Sequence, residues 1–229
     1  MTLILFDIDG TLTVTSEIDN HCYASAFRRV FGLDLPTTDW SAYEHVTDHG
    51  ILEQAVPALR GTRPEGRELD QFGEAYHESL VLAHRKTPGA FQAVPGAAEI
   101  VAELSQHTRY GIALATGGLK RNALFKLACA GIDVTGIPAA FADDALSRAD
   151  IVRSAVTRSA GMWNEAAYVG DGQWDVRTAR ALGMGFVGIA HEKTPAVLIE
   201  EGAEHVLVNF LDVDAFFNAI EEAARPWLG

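Results

Sequence analysis

Cysteine is nearly missing from this chain: only Cys22 and Cys129 occur among 229 residues, far apart. Neither sits in a Cys-x-x-Cys or Cys/His neighbourhood, which excludes a disulfide framework and a zinc knuckle and leaves two core or surface thiols. Basic residues are scarce too, 18 Lys and Arg against 31 Asp and Glu, for a formal net charge of −13. A nonspecific grip on nucleic acid or anionic lipid would work against that field, so no nucleic acid and no membrane is expected as a partner. Long apolar runs are also lacking, and none approaches the roughly 20 residues that span a bilayer. Residues 1–6 are apolar but short, have no basic start and run straight into Asp7. They lack the pattern of a secretory leader, and a reduced, cytoplasmic setting is the expectation.

What the chain does have is a 48% hydrophobic composition, enough for a sizeable core, in a length that permits one main domain with a smaller insert. Short apolar runs at 3–6, 110–115, 137–141, 167–169 and 185–189, with a weaker one at 205–208, read as buried strands. Between them, stretches such as 97–106, 119–130, 148–160 and 174–182 repeat apolar residues at helical spacing. That alternation predicts an α/β fold, a parallel sheet flanked by helices. Residues 16–86 break it. They show no strand and look helical at 18–31, 50–59 and 68–85, so they read as an inserted helical subdomain, with residues 1–15 and 87–229 forming the main domain. Pro88-Gly89 and Pro95-Gly96 punctuate the return.

In open parallel sheets ligands bind beyond the carboxyl ends of the strands. The first strand runs into Asp7-Ile8-Asp9-Gly10-Thr11-Leu12, two carboxylates at alternate positions followed by a glycine that lets backbone approach a ligand closely. Such carboxylates repel unless a cation or a shared proton intervenes, and a hard, oxygen-seeking Mg²⁺ suits them. Further carboxylates follow the fourth strand in Gly170-Asp171-Gly172-Gln173-Trp174-Asp175, where a helix beginning just after the glycine would turn Asp171 and Asp175 to one side of its first turn. The second strand ends in Thr116-Gly117-Gly118, a hydroxyl and exposed backbone N–H groups suited to a phosphate. Arg148 opens the helix before the fourth strand and supplies a fixed cation. Each piece alone is commonplace; their joint placement at successive strand ends is not.

These motifs resemble the haloacid dehalogenase superfamily of phosphotransferases: a DxDGT[LV] opening at 7–12, a Ser/Thr after the second strand at Thr116, a basic residue upstream of the fourth strand, and an acidic GDxxxD at 170–175. The resemblance implies a Rossmann-like core, with the insert as the helical C1 cap of the phosphoglycolate phosphatase and mutase branch. It further implies that Asp7 is the nucleophile taking phosphoryl as an aspartyl-phosphate, and that Asp9 is the acid and base for the leaving alcohol and water. Mg²⁺ would be held by Asp7, the Asp9 backbone carbonyl and Asp171, with Asp175 as a ligand or just behind it. Thr116, the Gly117 amide and the basic residue would hold the transferring oxygens. That basic residue is most often lysine in the family, yet no lysine occurs between Lys126 and Lys193. Arg148, 23 residues before Asp171, is the expected substitute, and Lys120 competes as a phosphate or substrate contact.

Within the family, Asp9, Asp171 and Asp175 argue against dehalogenation. The scarcity of lysine before Lys120 argues against a Schiff-base phosphonatase, and Thr13-Val14-Thr15-Ser16 lacks the Thr-Asp hinge of hexose-phosphate mutases. The expected function is Mg²⁺-dependent hydrolysis of a small phosphorylated metabolite. A sugar-phosphate mutase, or a non-catalytic phosphate-binding protein on the same frame, stands as the alternative. Five histidines, His21, His45, His49, His77 and His84, fall in the insert without a metal-ligand pattern. Tyr23, Phe27 and Phe31 recur at i, i+4 and i+8, the spacing of one buried stripe, and Trp40, Tyr43, Phe72 and Tyr76 are expected in the core of the insert.

Overall fold

A computed structural model describes residues 1–191 and 195–227; Lys193 lies outside them. Strand β1 (Thr2–Phe6) carries Leu3, Ile4, Leu5 and Phe6 in succession, and all four are buried. Successive strand side chains point to opposite faces, so Ile4 and Phe6 enter one hydrophobic cluster and Leu3 and Leu5 another. A segment that is apolar at every position needs cover on both faces, which places it in the middle of a parallel sheet. Burying each such side chain contributes about 1.5–3 kcal/mol.

The chain continues through β2 (Thr13–Val14), α1 (Ser16–Phe31), α2 (Asp48–Arg60), α3 (Gly66–Lys86), β3 (Gln92–Ala93), α4 (Ala97–Ser105), β4 (Tyr110–Ala115), α5 (Lys120–Cys129) and β5 (Ala139–Ala140). It ends with α6 (Arg148–Arg158), β6 (Glu165–Gly170), α7 (Gln173–Leu182), β7 (Gly185–Ile189), α8 (Pro195–Glu201), β8 (His205–Leu207), α9 (Val213–Ala223) and β9 (Arg225–Pro226). Six strands pair in parallel in the order β5-β4-β1-β6-β7-β8, and β9 pairs antiparallel with the start of β6. Helices α4, α5 and α9 cover one face, and α6 and α7 the other. The α/β architecture expected from the apolar runs is therefore the observed one.

Three local differences have physical causes. The run at 137–141 yields only the two-residue β5, because Pro138 has no N–H to give the ladder and contributes only its carbonyl, which accepts from Leu114 N at 2.9 Å. Helix α9 was not expected, although Phe216, Ala219, Ile220 and Ala223 form a buried stripe at helical spacing. A short two-stranded antiparallel ribbon of β2 and β3, pairing Thr13 with Ala93 and Val14 with Gln92, lies where the chain leaves for α1 and returns after α3.

Helices α1, α2 and α3 surround a cluster of their own, built on Tyr23, Phe27, Leu52, Phe72, Tyr76 and Leu80. The Tyr23 ring lies 4.8 Å from that of Phe72 and 5.4 Å from that of Tyr76. Tyr23 and Phe27 are buried and Phe31 packs against the same cluster, as their spacing predicts. Phe91, Leu119 and Ala142, which lie after α3 in the chain, join it, so the helical layer is packed onto the sheet domain. Both cysteines are free thiols; Cys22 is buried and Cys129 half-buried. Among the described residues no helix is long and apolar enough to cross a membrane.

Candidate active site

The strand order changes direction at β1: β4 and β5 lie to one side, β6, β7 and β8 to the other. Such a switch point leaves a crevice at the carboxyl ends. The register pairs Phe6 with Leu114 and with Val169, so β1, β4 and β6 finish nearly level. Their next residues are Asp7, Thr116 and Asp171, and all three are buried lining residues of one cavity of about 290 Å³. Residues separated by more than a hundred positions thus meet at one sheet edge.

Arg148, the first residue of α6, is turned inward after Ser147 caps that helix by accepting from Asp150 N. Its Nη1 lies 3.0 Å from Asp7 Oδ1, 3.0 Å from Asp175 Oδ1 and 3.3 Å from the Tyr168 hydroxyl, and its Nη2 donates to the Val46 carbonyl at 3.0 Å. Burial opposes the guanidinium charge, but Asp175, Tyr168 and Asp7 more than offset that and hold it protonated. Burial pushes the Asp7 carboxyl above its usual range; Arg148 opposes the rise and Asp9 adds to it. Arg148 therefore stands against the expected nucleophile, in the position anticipated for the family's basic residue. Lys120 does not: it is exposed, its Nζ sits 6.0 Å from the Phe141 ring centroid, and it is not among the residues lining the cavity. The expectation of Lys120 as a phosphate or substrate contact finds no support in this placement.

Asp171 and Asp175 do not share the first turn of a helix as expected. Helix α7 begins at Gln173 with Gly172 as its N-cap, so Asp171 precedes the helix, while Asp175 folds back to accept from Gly172 N at 3.0 Å. The two nevertheless converge with Asp7: one carboxylate oxygen of each lies within 4.8 Å of the others, and all three residues are buried. Gly10 makes this closeness possible. It holds φ +81°, and a Cβ there would run into the Asp171 carboxylate. Three buried carboxylates at this spacing form a donor set for a hard cation; burial raises the Asp7 and Asp175 carboxyls, and at Asp175 the neighbouring Asp7 and Asp171 add to the rise. Asp175 already accepts from Arg148, Tyr168 and Gly172, which suits it to orienting the group rather than to direct ligation.

Thr116 is buried, its Oγ accepts from Gly118 N at 3.2 Å, and Gly117 follows in the turn. A Cβ on Gly117 would meet the Val46 carbonyl at 2.5 Å and Arg148 Nη2 at 2.7 Å, so the helical layer and the cation both press on this turn. Asp48, at the start of α2, is bound to it twice: Asp48 N donates to Gly117 O at 2.7 Å, and Leu119 N donates to Asp48 Oδ2 at 2.7 Å. Burial, with Asp19 adding to it, raises the Asp48 carboxyl to about 8.

Asp9 has a partner that sequence reasoning missed. Its Oδ1 accepts from Thr15 at 2.8 Å and its Oδ2 from Lys126 Nζ at 2.7 Å, and the same ammonium donates to Asp19 of α1 at 2.7 Å. The Lys126 side chain is 1% exposed. Burial disfavours its charge, and Asp19 and Asp9 overcome that and raise its pKa. A signal was present in Ala-Leu-Phe-Lys126-Leu-Ala, where a lysine interrupts an apolar helical run and must find an anion if buried. Replacing Lys126 by Met should destabilise the protein by about 2–4 kcal/mol, because two half-buried carboxylates would lose their buried counter-charge. Denaturant unfolding of the variant measures this, and a change under 1 kcal/mol would show that Lys126 is not charged in the folded protein.

The histidines of the helical layer are not among the lining residues. His49 Nδ1 lies 3.1 Å from Ala142 O and His77 Nδ1 3.0 Å from Asn122 Oδ1, and His45 precedes α2, so the helical pairing of His45 with His49 does not form. Trp40 and Trp174, by contrast, both line the cavity.

A sequence model of the family described as "Hydrolase: haloacid dehalogenase-like hydrolase" matches residues 1–183. No curated protein matches the chain. Among solved structures, it is similar to a hydrolase from Pseudomonas syringae, with a TM-score of 0.75 at 21% identity, covering 98% of this chain and 100% of that one. It is also similar to a family IA, variant 3, HAD hydrolase from Entamoeba histolytica, with a TM-score of 0.68 at 16% identity, covering 96% of this chain and 100% of that one. A third similarity is to a predicted phosphoglycolate phosphatase from Haemophilus somnus 129pt, with a TM-score of 0.60 at 17% identity over 94% of this chain and 97% of that one.

Proposed function

Because the chain belongs to the haloacid dehalogenase-like hydrolase family, we propose that it hydrolyses a small phosphate monoester through an aspartyl-phosphate on Asp7, with Mg²⁺ as cofactor. The observation that carries this reading is the 3.0 Å contact between Arg148 Nη1 and Asp7 Oδ1 in a cavity that Thr116 and Gly117 also line. A cation beside a carboxylate nucleophile, facing the Thr116 hydroxyl and the Gly117 amide, suits a reaction whose developing charge lies on phosphoryl oxygens.

Asp7 and Asp171 with the Asp9 backbone carbonyl would hold Mg²⁺, and Asp175 would orient the set. When bound, the ion supplies positive charge that offsets the buried carboxylates and the phosphate. In the first step an Asp7 oxygen bonds to phosphorus as the ester P–O bond breaks, and Asp9 passes its proton to the departing alkoxide oxygen. In the second step Asp9 takes a proton from water, the water oxygen bonds to phosphorus, and the Asp7–phosphorus bond breaks, releasing inorganic phosphate and restoring Asp7. Thr15 and Lys126 keep the Asp9 carboxyl in one orientation through both steps. We assign residues 16–86 as a cap domain over a core of residues 1–15 and 87–229, with the cap excluding bulk water. The contacts of Thr47 with Leu146 and of Asp48 with Gly117 support that assignment.

Purified protein should release p-nitrophenol from p-nitrophenyl phosphate in the presence of Mg²⁺, lose that activity in EDTA and regain it when Mg²⁺ is restored. Absence of turnover across divalent metals, from protein with a normal thermal transition, would sink the proposal.

A further inference from the structure

On the side of the helical layer, the cavity wall carries Asp19, Asp39 and Asp48, and Arg148 is the single cationic side chain among the described residues that line it. Arg148 is already engaged by Asp7 and Asp175, and Lys126, behind the wall, by Asp9 and Asp19. A divalent ion together with Arg148 and Lys126 would bring four positive charges. Each of these charges already faces carboxyl groups of the site, Asp7 and Asp171 at the ion's place, Asp7 and Asp175 at Arg148, and Asp9 and Asp19 at Lys126, so among the described residues no cationic side chain is left over to meet a second anion on the wall.

Several of the wall's donors are already used internally. The Tyr23 hydroxyl donates to Asp48 O at 2.8 Å, Trp40 Nε1 to Asn20 Oδ1 at 2.8 Å, and Thr47 Oγ1 to Leu146 O at 2.8 Å. The cation-poor wall therefore offers acceptor oxygens in excess, alongside the apolar surface of Tyr23 and Trp40. An anionic leaving group would meet no cation there besides the paired Arg148 among the described residues, only neutral groups such as Ser16, Asn20 and Thr38 beside three carboxyl groups, and burying it without a counter-charge is costly. Hydroxyl or ammonium groups would find acceptors.

Resting on the phosphomonoesterase reading above, we infer that the substrate's alcohol portion carries hydrogen-bond donors and no carboxylate. The selectivity lies in what the wall repels as much as in what it binds.

Three small esters of nearly equal size test this: 2-hydroxyethyl phosphate, 2-aminoethyl phosphate and phosphoglycolate, each assayed for kcat/KM with Mg²⁺ beside p-nitrophenyl phosphate. At least one of the first two should exceed phosphoglycolate by tenfold or more, and which of them leads separates a hydroxyl-bearing from an ammonium-bearing substrate. The Asp39→Asn variant should raise the relative rate on phosphoglycolate, because an amide keeps the turn at 39–41 while removing a charge from the wall. Turnover of p-nitrophenyl phosphate with phosphoglycolate equal to or better than both other esters overturns the inference and leaves the phosphatase reading standing. Failure on all four compounds overturns both.

Discussion

Asp7→Asn should lower kcat by about four orders of magnitude or more and leave the fold intact. An amide has the shape of the carboxyl but no anionic oxygen to bond to phosphorus. The fold should tolerate the change because the amide fills the same buried space and Asp175 remains to face the Arg148 guanidinium. Steady-state kinetics measure the first part and thermal denaturation the second. Rapid acid quench of the wild type during turnover of a ³²P-labelled ester should also trap labelled protein, sensitive to hydroxylamine, and the variant should trap none. Residual turnover above one part in a hundred in a folded Asn variant would move the nucleophile elsewhere.

Arg148→Ala should cost about 10²–10³-fold in kcat/KM, the scale seen when a donor to developing negative charge is removed. It should also lower stability by about 3–5 kcal/mol, because Asp7 and Asp175 would be left buried without their shared cation. Arg148→Lys should recover part of the stability and little of the rate, since one ammonium cannot reach both carboxylates and the Val46 carbonyl as the planar guanidinium does. Lys120→Ala should change kcat/KM by less than about threefold. The reverse ranking of Arg148 and Lys120 would reassign the basic residue. Urea unfolding run beside the assays separates loss of chemistry from loss of folded protein.

Strands β1, β4, β6 and β7 were legible because parallel strands covered on both faces are apolar at nearly every position, and such runs stand out against helical periodicity. Asp7, Asp9, Thr116 and Asp171 were legible because they follow those runs directly, so knowing where a strand ends gives the site. Arg148 could be named because the family resemblance calls for a basic residue upstream of the fourth strand, and no lysine occurs there. Lys126, Asp19 and Asp48 were not legible in that way. Their partners are 71 to 117 residues away in the chain and meet only through the packing of α1 and α2 on α5 and on the turn after β4. The same limit hid the backfolding of Asp175 onto Gly172, where a local hydrogen bond displaced the simple i, i+4 geometry.

The paired bonds between Asp48 and the 117–119 turn have a thermodynamic consequence. Any excursion that lifts the start of α2 from the sheet removes a donor from Gly117 O and an acceptor from Leu119 N at once. If the proposed phosphate site lies at this turn, it is held in shape only in the fraction of molecules where α2 is seated, and its apparent dissociation constant is the intrinsic one divided by that fraction. By reciprocity, an anion held at Thr116 shifts the population toward the seated form by the same factor.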